Sequence, residues 1–203
     1  MKKGKFFSAK RITGLAILLS LVIVLQLIGG YLKIGGTSLS FVLVPIVLGG
    51  MLYGMWAGAF LGFAFGLITL MFGITGADYF TAVLFENQPF ATTALCLGKG
   101  TAAGFCAGFV YQFVKKKNEY AATFSAAVIA PVVNTGLFIL GSLLFLQDTL
   151  MENFVARGAT IVYFLFIGCA GVNFLVELAI NLILAPQLYR VIGIIEKRTR
   201  KEL

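Results

Sequence analysis

The sequence predicts an all-α fold: a polytopic membrane protein, a compact bundle of six transmembrane helices with both termini cytoplasmic. Three observations predict it. The 203-residue chain is 60% hydrophobic and only 12% charged, whereas a soluble domain carries about 25% charged residues. Its mean hydropathy is +0.98, more apolar surface than one core of this size can take up, so lipid must serve as the solvent. Apolar runs recur near the ~20 residues that cross a ~30 Å hydrocarbon core. Charges cluster in the short segments between those runs, as topology signals do. The formal charge of +8 is therefore not read as a nucleic-acid surface.

The elements follow in order. A basic N-terminus, residues 1–11, precedes a six-helix region over 12–189, and a basic tail occupies 190–203. All 203 residues form one transmembrane domain. The first run, Ile12 to about Gly30, fits one crossing. Its basic start resembles a secretory signal but lacks a small-residue cleavage site, so it reads as a retained first helix. From Leu39 to Ile74 there is no charge, which as helix would extend ~54 Å. That is too long for one crossing. The chain must turn near Tyr53–Gly58, giving spans near 39–53, with Pro45 inside it, and 57–74. A polar stretch from Gly76 to Pro89 carries a short interfacial segment. Span four runs from about Phe90 to Phe113 and stops at Lys115–Lys117. Span five covers about 121–146, with Pro131 available to bend it. Span six covers about 159–184 and meets Pro186, and the tail after Arg190 begins as helix.

Thirteen of the sixteen basic residues fall on one side of this arrangement, in the N-terminus, the 115–117 loop and the tail. Lys33 and Arg157 fall on the other side, with Asp78, Glu86, Asp148 and Glu152. The positive-inside bias therefore puts both termini in the cytoplasm, and an even number of spans agrees with it.

Glycines recur every fourth residue at 50, 54, 58, 62 and 66, and again at 100, 104 and 108. Small residues at that spacing let helix backbones approach closely in lipid. Two readings are open, packing inside the bundle or a surface that docks another membrane protein. Ala16 and Ser20 form a weaker pair of the same kind in span one.

Absences restrict the chemistry. There is no histidine, which excludes histidine-dependent nucleophile systems. No phosphate-binding loop is present, since Gly98-Lys99-Gly100 is only a fragment inside a span. Carboxylates and cysteines show no metal-ligand spacing, and no cofactor is expected. Cys96, Cys106 and Cys169 all sit in apolar runs and read as packing residues. The chain is not expected to be an enzyme.

Polar residues within the spans carry the functional signal, because burying them in lipid is costly. Lys99 lies about nine residues into span four, ~13 Å from its outer boundary. Asn134 in span five and Asn173 in span six reach similar depth. Asn173, Glu177 and Asn181 are spaced i, i+4, i+8 and share one helix face. Together they predict a polar interior with one cation and one carboxylate, either paired with each other or binding a polar or anionic small molecule. Tyr79, Phe80, Phe85 and Phe90 stand near the outer mouth as apolar cover or interfacial aromatics.

Several stretches in this order resemble the substrate-binding S-components of energy-coupling-factor (ECF) vitamin transporters. They are Leu39-Ser40-Phe41-Val42-Leu43-Val44-Pro45-Ile46-Val47-Leu48-Gly49-Gly50, then Gly54-x-x-x-Gly58-Ala59-x-x-Gly62, then Asn87-x-Pro89-Phe90. Lys99-Gly100-x-x-Ala103-Gly104 and Pro131-Val132-Val133-Asn134-Thr135-Gly136 continue the match. The resemblance spans roughly residues 10–190 and is nearest the pantothenate- and riboflavin-type members. The family's alanine-x-x-x-alanine docking motif is represented by Ala16-x-x-x-Ser20. The resemblance implies a protein that captures a vitamin outside and docks onto a transmembrane coupling subunit driven by two separate ATPase subunits. It adds Asn87 and Phe90 to Lys99, Asn134, Asn173 and Glu177 as candidate substrate-binding residues. Ala16, Ser20, Gly54, Gly58 and Gly62 become the candidate partner-docking residues.

Lys99 favours a ligand with a carboxylate or phosphate, which suits pantothenate; with the resemblance to pantothenate- and riboflavin-type members, pantothenate ranks first, riboflavin second and other micronutrients third. Thiamine-type members stack their ligand's cation on aromatics including tryptophan, and Trp56 here falls in a turn on the cytoplasmic side. The competing reading is a non-transporting scaffold of the cell-envelope machinery, for which Lys99 would be dispensable.

Overall fold

The computed structural model describes residues 9–31, 33–34, 37–38, 41–155 and 158–201. Lys2, Lys3, Lys5 and Arg157, used above for orientation, lie outside the described residues, as do positions 39 and 40 at the expected start of span two.

Helix α1 (Ala9–Tyr31) is followed by a two-residue antiparallel pairing of β1 (Lys33–Ile34) with β2 (Thr37–Ser38). Helices α2 (Leu43–Tyr53) and α3 (Met55–Ile74) come next, then the short α4 (Tyr79–Asn87). Two long helices, α5 (Pro89–Lys115) and α6 (Glu119–Phe145), precede the short α7 (Gln147–Asn153). The last helical stretch begins as α8 (Ile161–Tyr163), widens into a π segment (Phe164–Cys169) and continues as α9 (Ala170–Lys201).

Local chemistry explains the boundaries. Gly54 breaks α2 from α3 with φ +97°, a backbone state that side chains disfavour, and its N–H donates to the Gly50 carbonyl at 3.1 Å. The break is thus a single residue rather than the six-residue turn expected from sequence. Asp78 caps α4 by accepting from the Thr81 N–H at 3.1 Å and its hydroxyl at 2.6 Å. Pro89 takes the first position of α5, where the missing N–H costs nothing. Asn118 caps α6 through the Ala121 N–H at 3.0 Å, and Lys115 and Glu119 pair at 3.0 Å across the intervening turn. Pro131 and Pro186 both lie inside helices. The span expected to meet Pro186 near residue 184 and the helical start expected for the tail are one continuous helix that runs through the proline.

Among the described residues, five helical stretches are long and apolar enough to cross a membrane, by length and composition: Ala9–Gly30, Met55–Ile74, Pro89–Lys115, Glu119–Phe145 and Ile161–Ile195. With 11 residues, α2 extends only about 17 Å, short of the ~30 Å core. Large apolar side chains such as Ile17, Leu144 and Ile183 stand open on the outside of the bundle, the distribution that lipid permits.

The tightest seam joins α3 to α5. A Cβ built on Gly58 would meet the Gly104 carbonyl, and one on Gly62 would meet the Gly100 carbonyl. One on Gly66 would lie 2.9 Å from the Leu97 Cα. The pairs 58 with 104 and 62 with 100 run in opposite senses along the chain, so the helices are antiparallel with backbones nearly touching. This corrects the docking reading of Gly58 and Gly62: both are buried inside the bundle. Gly54 belongs to the α2–α3 break beside the Gln112 side chain. Ala16 and Ser20 remain on the exposed face of α1, with the Ser20 hydroxyl donating to the Ala16 carbonyl at 2.9 Å.

Two apolar clusters bracket the middle of the bundle. One, around Tyr111, Ala122, Ala126 and Ile192, lies toward the Lys115–Lys117 end. The other, around Phe80, Leu84, Leu146 and Leu165, lies toward the end carrying α4, α7 and α8. Between them on α5, α6 and α9 the buried positions turn polar.

Candidate functional site

A cavity occupies this middle layer. From α5 it takes Thr92, Cys96 and Lys99, and from α6 Asn134, Thr135 and Phe138. The last helical stretch contributes Cys169, Ala170, Asn173 and Glu177. The π segment ends at Cys169, so the extra residue of its wide turn sits just where this stretch enters the cavity wall, as π-bulges at functional sites do. On the other side, α3 supplies Phe65, Thr69 and Phe72, and α1 supplies Gln26. The α4 end closes over with Asp78, Phe80, Thr81 and Leu84.

Charge and hydrogen bonding are arranged unevenly. The Lys99 ammonium sits 5.5 Å from the Phe65 ring centre and 5.6 Å from that of Phe138, within cation–π range of both. No carboxylate pairs with it within 4.0 Å among the described residues. Glu177 is 1% exposed. Its two carboxylate oxygens accept from Asn134 Nδ2 at 3.5 Å and Asn173 Nδ2 at 3.2 Å. One turn further on, Asn181 Nδ2 donates to the Glu177 backbone carbonyl at 2.8 Å. The Oδ1 atoms of Asn134 and Asn173 and the Thr92 hydroxyl are buried without a partner, capacity that a bound molecule would fill. Gln26 Nε2 donates to the Thr69 hydroxyl at 3.3 Å across the α1–α3 seam.

Four of the six candidate substrate-binding residues, Lys99, Asn134, Asn173 and Glu177, therefore meet in one cavity. Asn87 and Phe90 do not. Asn87 is exposed and turns its amide back to the Val83 carbonyl at 2.8 Å. Phe90 is 91% exposed on the first turn of α5. Neither lines the cavity, whereas Phe80, expected beside Phe90 as apolar cover, does. Sequence reasoning missed Gln26, Thr69, Thr92 and Thr135. Gln26 had a signal, as the polar residue interrupting Leu21-Val22-Ile23-Val24-Leu25. The threonines had none, since single threonines in apolar helices commonly bond their own backbone, as Thr69 does to Phe65 at 3.0 Å. Cys96 and Cys169 were read as packing residues and also line the cavity. Neither they nor Cys106 forms a disulfide.

A multi-helix membrane bundle with an aromatic-walled polar cavity between its apolar ends defines a small-molecule-binding membrane protein. The chain belongs to the family of ECF transporter substrate-specific components, whose model matches residues 10–189. Among solved structures it is similar to ThiT from Listeria monocytogenes, with a TM-score of 0.59 and 19% identity over 88% of this chain and 96% of that one. At that identity the likeness concerns the fold. A search of characterised sequences finds no significant match. Components of this family bind a small-molecule substrate and work with a membrane coupling subunit and ATPases, which does not favour the scaffold reading.

Proposed function

We propose that this protein captures a vitamin, pantothenate with its carboxylate before riboflavin, from the outer face of a prokaryotic plasma membrane. The observation that carries this reading is Lys99, a cation within a cavity inside the bundle, flanked by Phe65 and Phe138 and unmatched by a carboxylate within 4.0 Å. A charge held at membrane depth calls for a counter-charge, and a substrate carboxylate answers that need. Riboflavin lacks the carboxylate and stands second on the strength of the aromatic walls.

In this reading the chain forms one transmembrane domain of six spans with both ends cytoplasmic. The end of the cavity covered by α4 then faces the outer side. The exposed face of α1, at Ala16 and Ser20, meets a transmembrane coupling subunit, and two ATPase subunits drive release inward. Purifying the protein after growth on a vitamin mixture and identifying the retained small molecule by mass spectrometry tests the proposal. Retained pantothenate is the expected result. A retained cation such as thiamine, with no carboxylate, would overturn the role given to Lys99.

A further inference from the structure

Of the three charged residues lining the cavity, Asp78 is engaged by Thr81, while Lys99 and Glu177 leave complementary hydrogen-bonding capacity unfilled. Lys99 offers three ammonium donors, yet its nearest described neighbours of note are two ring faces. Glu177, fully enclosed, accepts one amide N–H on each oxygen, from Asn134 and Asn173. A carboxylate has about four lone-pair sites, so about half stay open. Each amide gives one N–H to Glu177 and keeps its Oδ1 atom unpartnered. Turning either amide over would set its oxygen against the carboxylate, acceptor against acceptor. Glu177 thereby locks the orientation of both amides, and their Oδ1 atoms join its own open lone pairs as acceptors on this wall of the cavity.

The walls also differ in depth. Counted from the α4 end of the bundle, Lys99 lies ten residues past Pro89 and Glu177 sixteen past Ile161, about 15 and 24 Å of helix rise. The donor is nearer the mouth and the acceptors form the floor.

We infer that the substrate is bipolar: a carboxylate held by Lys99, and at its other end at least two hydroxyl, amide or amine donors held by Glu177, Asn134 and Asn173. This rests on the pairing of Lys99 with a substrate carboxylate and adds a second requirement and an orientation. The donor end enters first and lies on the floor, and Phe65 and Phe138 flank the segment next to the carboxylate. A molecule with only a carboxylate, or only donors, fills one wall and leaves the other unpaired. Pantothenate meets both requirements, with two hydroxyls at one end and a carboxylate at the other.

Three probes separate the two walls in titrations of the purified protein: pantothenate, panthenol, which replaces the carboxylate by an alcohol, and N-butyryl-β-alanine, which keeps the carboxylate and lacks the hydroxyls. The wild-type protein binds pantothenate tighter than either analogue by about tenfold or more, the scale of a hydrogen bond to a charged group. In Lys99→Gln the preference over panthenol disappears. In Glu177→Gln affinity for pantothenate and panthenol falls together, and their ratio keeps its wild-type value. Equal binding of N-butyryl-β-alanine and pantothenate by the wild-type protein overturns the floor, needs no variant to fold, and leaves the carboxylate reading intact. Equal binding of panthenol and pantothenate by the wild-type protein overturns the carboxylate reading and the bipolar substrate with it.

Discussion

Lys99 and Glu177 line the same cavity without forming an ion pair: no contact within 4.0 Å joins them, and each keeps other company. Phe65 and Phe138 flank the ammonium, while Asn134 and Asn173 hold the carboxylate. Were they a structural pair, losing Lys99 would cost the ~3–5 kcal/mol typical of breaking a buried ion pair. The separation predicts a smaller loss. Thermal unfolding of ligand-free Lys99→Gln should fall well short of that figure, and adding Glu177→Gln should recover nothing. A double variant more stable than Lys99→Gln alone would restore the structural pair.

The α3–α5 seam predicts a contrast between two glycine-scale positions. A side chain at Gly62 would drive into the Gly100 backbone, and overpacking of this kind costs about 1–3 kcal/mol or more. Gly62→Leu should lower the unfolding temperature and abolish ligand binding with it. A Gly62→Leu protein of wild-type stability would refute the seam.

Ala16 faces outward on α1, so Ala16→Leu should leave unfolding and ligand binding unchanged. If α1 docks the coupling subunit, the added bulk should reduce uptake in membranes containing the complete transporter. Wild-type uptake would remove α1 from the docking surface at this position.

Asp78 holds the first turn of α4 through two bonds to Thr81. Asp78→Ala should cost about 0.5–2 kcal/mol, the range for a lost helix cap. Hydrogen exchange should accelerate in Tyr79–Asn87 more than in α5. Unchanged protection there would show that α4 is held by its apolar face alone.

Topology is open to direct labelling. Single cysteines at Lys116 should react only from the cytoplasmic side, and those at Asp78 and Glu152 only from outside, in a background without the native thiols. Reaction of position 116 from outside would invert the arrangement.

The long helices were legible because lipid demands continuous apolar runs: Gly76–Asp78 and Lys115–Asn118 interrupt those runs visibly, and the break near Gly54 followed from a run too long for one crossing. The α3–α5 register was not. Glycines every fourth residue show that something approaches closely, but only the fold pairs 58 with 104 and 62 with 100. Four cavity residues were readable because a lysine, a glutamate and two asparagines at membrane depth are costly anywhere else. Thr92 and Thr135 carry no such cost, and their place depends on how α5 and α6 are rotated. Asn87 and Phe90 misled because nearness to a span in sequence says nothing about which way a helix corner points. The passage of α9 through Pro186 was hidden as well, since a proline does not announce whether packing will hold the helix around it.

The central claim is that Lys99 pairs with an anionic substrate, and affinity is its most direct measure. Pantothenate titrated into wild-type and Lys99→Gln protein should differ by roughly 2–5 kcal/mol, the cost of removing one partner of a buried charge pair. That corresponds to about 30-fold to several thousand-fold in Kd, with the variant still folded by its melting curve. Equal affinity in a well-folded Lys99→Gln protein would contradict the account and remove the lysine from the binding site.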